Sequence, residues 1–167
     1  MEKRLNMEAY KKHVVQYFLD RENVITMATF QYLIGNDDWY VTAEHNVTIL
    51  QDNETDSLFL VAYDFDWSKF VDAQYTKPIN VPNHQLRERR VYKGLCMSKE
   101  DFSLQQKKYN SMKDEILLCI KTLEHIPKSR KQVAIKYVER FYKTLNNSAS
   151  LEKVFQEEKC VSKPVFK

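Results

Sequence analysis

The chain has 167 residues, of which 43% are hydrophobic and 13% aromatic, and this composition favours a packed globular protein over a disordered one. The formal net charge is only +3, and acidic and basic residues are interspersed over the first two thirds, so nucleic-acid binding is not indicated. Two glycines and four prolines predict long helices and exclude a glycine-rich phosphate-binding loop. We expect one domain over residues 1–167.

The cysteine pattern and the absence of long apolar runs bear on the compartment. Cys96, Cys119 and Cys160 are far apart and odd in number, so no pairing or metal-ligand spacing can be assigned, and we expect reduced, partly buried thiols. No apolar run approaches the ~20 residues of a membrane span, and the first residues lack an apolar signal core. The prediction is a cytoplasmic protein by default, without membrane contact, either complete or a piece of a longer chain.

Residues 6–35 predict two helices. The first is amphipathic, because its apolar residues recur every three or four positions, at Met7, Tyr10, Val14, Tyr17 and Phe18. The second follows a cap at Asp20 or Asn23 and is apolar on most sides, from Val24 to Leu33, so it should be buried. Gly35 suits its C-terminal turn.

Residues 36–66 lose the helical period and predict a candidate catalytic loop followed by a β-hairpin. The loop runs from 36 to 46, and two alternating runs, Val47–Leu50 and Leu58–Tyr63, flank the turn-forming segment 51–57. The second strand leads directly into Asp64 and Asp66. This order can gather carboxylates and an amide from separate positions into one place.

The rest of the chain predicts a loop, a set of helices and a short tail. Residues 67–85 contain Pro78 and Pro82 and show no period, so they predict a loop. Residues 86–158 predict helices. The first covers Leu86–Tyr92, and the second begins at a Ser98/Asp101 capping box and runs towards Pro127. The third covers Ser129–Leu145 and is closed by Asn146 and Asn147, and the fourth is short and capped by Ser150. Residues 159–167 predict a loose tail.

Three side chains of the 36–66 segment have the chemistry of a phosphoryl-transfer site. Such a site needs one carboxylate that orients or deprotonates the attacking hydroxyl, and a carboxylate and an amide that hold magnesium on the nucleotide phosphates. Asp38, Asn46 and Asp64 are the right types in the right order. Asp37, His45 and Asp66 lie beside them as auxiliary candidates.

Each candidate also has a structural interpretation. Asx residues are common in loops because they hydrogen-bond their own backbone, and His45 can serve as a structural hydrogen-bonding residue. Asp66 can bind a metal or pair with the basic cluster Arg87, Arg89 and Arg90. That cluster itself suits phosphate binding, a solvated helix face or pairs with the acidic loop.

Four segments carry a family resemblance. The sequences FQYLIGNDDW, HN, AYDFDWSKFVDAQY and LRERRVYKGLC are similar to a group of uncharacterised bacterial proteins common among Bacteroidetes, and the resemblance extends over roughly the first two thirds of the chain. The order of a catalytic Asp, an Asn and a strand pair ending in Asp-Phe also resembles the C-terminal lobe of atypical protein-kinase-like enzymes of the spore-coat-protein-H type. Asp64-Phe65 matches the start of the metal-binding Asp-Phe-Gly, with Asp66 in place of glycine.

The resemblance implies a fold, an activity and residue roles. The fold would be a predominantly helical α+β kinase-like C-terminal lobe with a small β-hairpin and no N-terminal lobe. The activity would be phosphotransfer with Mg and ATP, or the chain would be a remnant of such an enzyme. Asp38 would be the catalytic aspartate, and Asn46 and Asp64 the metal ligands. The departures are a longer Asp38–Asn46 interval, and no glycine-rich loop or strand lysine.

Two other functions are compatible with the residues. In one, the chain is a non-catalytic helical interaction module, whose missing-lobe surface is covered by a partner protein or by a second copy. In the other, the acidic loop holds calcium structurally. No motif in the sequence identifies the molecule that would accept the phosphate.

Overall fold

The computed structural model describes residues 6–73, 90–158 and 160–162, and these form a mixed α+β fold. A small antiparallel sheet has the strand order β1-β2-β3, and five α-helices complete the described fold. The strands are β1 (Met7–Ala9), β2 (Val47–Asp52) and β3 (Leu58–Ala62), and the helices are α1 (Arg21–Ile34), α2 (Lys99–Ser111), α3 (Lys113–Thr122), α4 (Lys128–Leu145) and α5 (Ser148–Glu152). A π-helical turn, Lys153–Glu158, follows α5.

Helix α1 confirms the prediction of a buried central helix. The Asp20 side chain caps it by accepting from the Asn23 N–H at 2.8 Å, and Val24 and Ile25 are almost completely buried. Gly35 ends the helix in the left-handed region with φ +66°. The helix therefore fixes the point at which the 36–46 loop leaves the core.

The β2–β3 hairpin is also confirmed, and it packs on α1. Its turn is held by Asp52, whose side chain accepts from the N–H groups of Glu54 and Thr55 at 2.8 Å each. The side chain of Asn23, on α1, accepts from the Leu60 N–H at 2.7 Å. Because β3 is fastened to α1, the residues after β3 return to the C-terminal end of that helix.

The predicted helix over Met7 to Phe18 is wrong. Residues Met7–Ala9 form β1, which pairs with β2 through Met7↔Asp52 and Ala9↔Leu50, and only a 3₁₀ turn, Gln16–Phe18, is helical. The outer edge of β2 offers unpaired backbone groups, and pairing satisfies them for both segments. Local apolar spacing alone does not reveal a partner strand that lies far along the chain.

The C-terminal helices confirm the predicted capping box and correct three details. Ser98 and Asp101 cap α2 reciprocally, but the predicted single helix up to Pro127 is broken at Met112 into α2 and α3. The side chain of Asn147, and not that of Ser150, caps α5. The segment 90–92 is not helical, and the remainder of the predicted Leu86–Tyr92 helix lies outside the described residues. Tyr137, Phe141 and Leu145 of α4 lie in the core, whereas Val133, at the same spacing one turn earlier, is 41% exposed.

The expectation of reduced cysteines is wrong for two of the three. Cys96 and Cys160 form a disulfide, whereas Cys119 is free and exposed. The pairing brings the start of the predicted loose tail onto the 94–97 segment, where Val161 bridges to Leu95. Residues 163–167 of that tail lie outside the described residues. Among the described helices, none has the length and apolar character needed to cross a membrane.

Candidate functional site

The 36–46 loop begins at a backbone junction between α1 and the segment after β3. The N–H of Lys69 donates to the carbonyl of Gly35 at 3.2 Å, and the N–H of Phe70 donates to the carbonyl of Ile34 at 3.0 Å. The side chain of Asn36, which is buried, accepts from the Asp38 N–H at 3.1 Å. These bonds fix the backbone that leads into Asp38.

Asp38, His45 and Asn46 meet through their side chains. Asn46 Nδ2 donates to the Asp38 carbonyl oxygen at 2.8 Å and to Asp38 Oδ2 at 3.0 Å, and His45 Nε2 lies 3.0 Å from Asp38 Oδ1. The contact is made by a tight reversal in which Tyr40 and His45 exchange two backbone hydrogen bonds of 3.0 Å each. Both carboxylate oxygens of Asp38 are thus oriented by neighbours from the far end of the loop.

The far end of the loop is in turn bound to the end of β3. The Tyr63 N–H donates to the Asn46 carbonyl at 3.0 Å, and Val47 pairs with Ala62. Asn46 and Asp64 both adopt positive φ values, 54° and 56°. The hairpin therefore places Asp64 one residue beyond the backbone bond that holds Asn46.

Asp64 and Asp66 form an acidic pair. A hydrogen bond and charge repulsion from Asp66 raise the pKa of Asp64, and charge repulsion from Asp38 raises it by a smaller amount. The pair therefore holds a proton more tightly than an isolated aspartate.

The effect of each neighbour on Asp64 can be measured. We expect Asp66→Asn to lower the Asp64 pKa towards its ordinary value, because the substitution removes the largest cause of the shift. Asp38→Asn should lower it by a smaller amount, because Asp38 is the weakest of the causes that raise it. The measurement is a carboxyl-carbon NMR titration, with Asp56→Asn in the hairpin turn as the control. Equal effects of Asp56→Asn and Asp66→Asn would contradict this assignment.

Lys93 is a residue of the site that the sequence did not indicate. Its Nζ donates to the carbonyl of Asp37 at 2.9 Å and to the carbonyl of Trp39 at 2.7 Å, and it lies 3.4 Å from the centre of the Tyr40 ring. The two carbonyls flank Asp38. Since both acceptors are backbone atoms, no side-chain motif in the sequence indicates that Lys93 binds the loop.

The remaining predicted residues have other neighbours. Asp37 lies 3.5 Å from the Lys69 ammonium, and its side chain is 43% exposed. Arg90 is mostly buried, donates to the carbonyls of Leu33 and Tyr137, and stacks on the Tyr137 ring. Burial lowers the pKa of Arg90. Arg87 and Arg89 lie outside the described residues.

No group of three or more His, Cys, Asp or Glu side chains within the described ranges is arranged to hold a metal ion. The carboxylate and amide side chains of this part of the structure are those of Asp38, Asn46, Asp64 and Asp66. Magnesium is commonly bound by one or two carboxylates together with substrate phosphates and water. Comparison of the chain with protein-family models, curated proteins and solved structures found no match.

Proposed function

We propose that the chain carries the metal- and substrate-binding side of a phosphotransferase that uses magnesium and ATP. Asp38 is the base or substrate-orienting carboxylate, and Asn46 and Asp64 are the metal ligands, with Asp66 as an auxiliary ligand. The observation that carries the proposal is the double contact of Asn46 Nδ2 with Asp38, made from opposite ends of one loop. The resemblance to a kinase-like C-terminal lobe is consistent with these roles.

The geometry of Asp38 suits a group that accepts a proton or orients a hydroxyl. Its carboxylate is held by Asn46 on one oxygen and by His45 on the other, and the side chain is 30% exposed. A fixed, accessible carboxylate can align an attacking hydroxyl without an entropic cost at the moment of reaction. His45 would maintain that orientation.

The metal ligands follow from the remaining acceptor atoms. Because Asn46 directs its Nδ2 to Asp38, its Oδ1 is the atom suited to a cation. The Asp64–Asp66 pair supplies carboxylate oxygens whose mutual repulsion a divalent cation would relieve. Magnesium would neutralise charge on the transferred phosphoryl group. The chain's own part is to hold these oxygens beside Asp38.

The nucleotide would be bound chiefly through its phosphates and the metal. With two glycines the chain has no glycine-rich loop, and its described strands contain no lysine of the kind with which kinase-like enzymes cover ATP from the N-terminal side. Contacts to the adenine would then come from another polypeptide or from a further segment. The resemblance implies that this chain would form one side of the nucleotide cleft and that the N-terminal lobe would form the other.

Calorimetry tests the proposal. We expect Mg·ATP to bind the wild-type chain, and Asp64→Ala to weaken binding about tenfold or more, because loss of a direct carboxylate ligand should cost at least as much as loss of a supporting group. Binding should also strengthen as pH rises through the Asp64 pKa, since the shared proton competes with the cation.

The matched control is Asp56→Ala, which removes an exposed carboxylate from the hairpin turn and should leave binding unchanged. An absence of heat that is identical for wild type and Asp64→Ala would refute the metal and nucleotide proposal. A loss of binding of the same size in Asp56→Ala would assign the effect to general surface charge.

A further inference from the structure

The disulfide joins two segments that also share backbone hydrogen bonds. The Cys96 N–H donates to the Val161 carbonyl at 3.1 Å, and the Val161 N–H donates to the Gly94 carbonyl at 2.8 Å. The Met97 N–H donates to the carbonyl of Phe155 at 3.3 Å. The C-terminal segment, residues 160–162, is thereby bonded to Gly94 and Cys96, and the π-helical turn is bonded to Met97.

The 94–97 segment directly follows Lys93, the residue that holds the 36–46 loop (the Asp38 loop). Lys93 directly precedes Gly94, and its ammonium binds the two carbonyls on either side of Asp38. Its own carbonyl accepts from Gln16 Nε2 at 3.0 Å. A displacement of residues 94–97 would therefore act on the Asp38 loop through one side chain.

We propose that the Cys96–Cys160 disulfide is a thiol-responsive regulator of the Asp38 loop, acting through Lys93. With the disulfide formed, the 94–97 segment is fixed and Lys93 holds the loop. With the disulfide reduced, the C-terminal segment can leave residues 94–97, and the loop opens more often. The effect on magnesium and nucleotide binding rests on the proposed function, whereas the response of the loop does not.

The chemistry requires an external dithiol or thiol pair. A thiolate attacks one sulfur of the disulfide and forms a mixed disulfide, and a second thiolate of the reductant resolves it. The S–S bond takes up two electrons and two protons to give two cysteine thiols, while the reductant is oxidised to its own disulfide. Both cysteines are only half-buried, so a small reductant can reach them.

The physical reason for a local response is that the cross-link spans 64 residues. Its removal gives residues 160–162 freedom that their backbone hydrogen bonds to Gly94 and Cys96 must then oppose without a covalent link, whereas Leu95 and Met97 remain buried in the core. The helices that pack through Val138 and Phe141, which are completely buried, do not depend on this bond for their contacts. The opening should therefore be confined to the 94–97 segment and the loop.

Amide hydrogen exchange on the full chain, with and without dithiothreitol, tests the proposal. The reporters are the hydrogen-bonded N–H groups of Tyr40, Glu44 and His45 in the loop, and the references are the amides of Val138 and Phe141 in α4. We expect reduction to speed exchange of the loop amides by about tenfold and to leave the α4 amides unchanged. A thiol titration on the same samples must show two additional thiols.

Three variants isolate the connection. The pair Cys96→Ala with Cys160→Ala should exchange at the reduced rate with or without dithiothreitol, and Cys119→Ser should behave as wild type. Lys93→Met should speed exchange of the loop before reduction, and reduction should then add little. If a variant fails to fold, the comparison of oxidised and reduced wild-type protein still tests the proposal.

Two results would overturn the inference. One is release of the thiols with loop exchange unchanged, or with the loop and α4 accelerated equally. The other is a Lys93→Met protein whose loop still responds fully to reduction. A loop that responds in a protein that binds no Mg·ATP would support the regulation and refute only the proposed function.

Discussion

Phe155→Ala should lower the free energy of unfolding by about 3–5 kcal/mol, because truncation of a buried aromatic residue loses its transfer free energy and leaves a cavity. The Phe155 ring is 1% exposed and packs edge-on against Tyr92 at 4.7 Å and Tyr32 at 5.1 Å. A third ring, Phe102, lies 6.3 Å away. The residue thus joins α1, α2 and the 92–97 segment to the π-helical turn.

Urea denaturation at constant redox conditions measures the effect, and Phe18→Ala is the matched control. Phe18 is 74% exposed, so the same truncation should change stability by less than about 0.5 kcal/mol. If Phe155→Ala were as mild as Phe18→Ala, the C-terminal turn would not belong to the core. Reduction of the disulfide should not substitute for this mutation, because the aromatic contacts persist without the S–S bond.

The elements that the sequence predicted correctly are those determined by neighbours in the chain. The Asp20 cap, the buried run of α1 and the Ser98–Asp101 capping box each depend on residues three or four positions apart. The hairpin follows from alternating residues around a turn held by Asp52. In each case the local preference and the tertiary packing agree.

The features that the sequence did not predict depend on distant partners. The β1 strand exists because β2 has an open edge, and the spacing of Met7 and Tyr10 suits a helix equally well. The Cys96–Cys160 pair is separated by 64 residues, and an odd number of cysteines gives no basis for pairing. Tertiary structure overrides the local pattern at both places.

In the candidate site, too, some contacts could be predicted from the sequence and others could not. The proximity of Asp38 and Asn46 followed from a loop that returns to the hairpin, and the contact at 3.0 Å is consistent with that prediction. The part played by Lys93 could not be predicted, because it rests on carbonyl oxygens that every residue possesses. Arg90 likewise binds two carbonyls, so the basic cluster gave no sequence signal for its position.

Gly35→Ala should cost about 2–4 kcal/mol, the sum of a left-handed backbone for a residue with a Cβ and a steric collision. Gly35 has φ +66°, and an added Cβ would lie 1.9 Å from the Tyr137 hydroxyl oxygen and 3.1 Å from the Lys69 Cβ. Tyr137 is 3% exposed and Arg90 stacks on its ring, so the hydroxyl cannot turn aside. Chemical denaturation measures the loss.

A double-mutant cycle with Tyr137→Phe separates the two costs. The Tyr137 hydroxyl is buried and has no hydrogen-bond partner within the described part of the chain, so its removal alone should be nearly neutral. In the Tyr137→Phe background, the destabilisation caused by Gly35→Ala should be smaller by about 1–2 kcal/mol, because the 1.9 Å contact is removed. The backbone cost and the contact with the ring carbon at 3.0 Å persist. Strictly additive effects would show that the hydroxyl does not obstruct position 35. Since Gly35 ends α1 and Tyr137 lies on α4, the same cycle measures how strongly the two helices are coupled at the residue where the 36–46 loop begins.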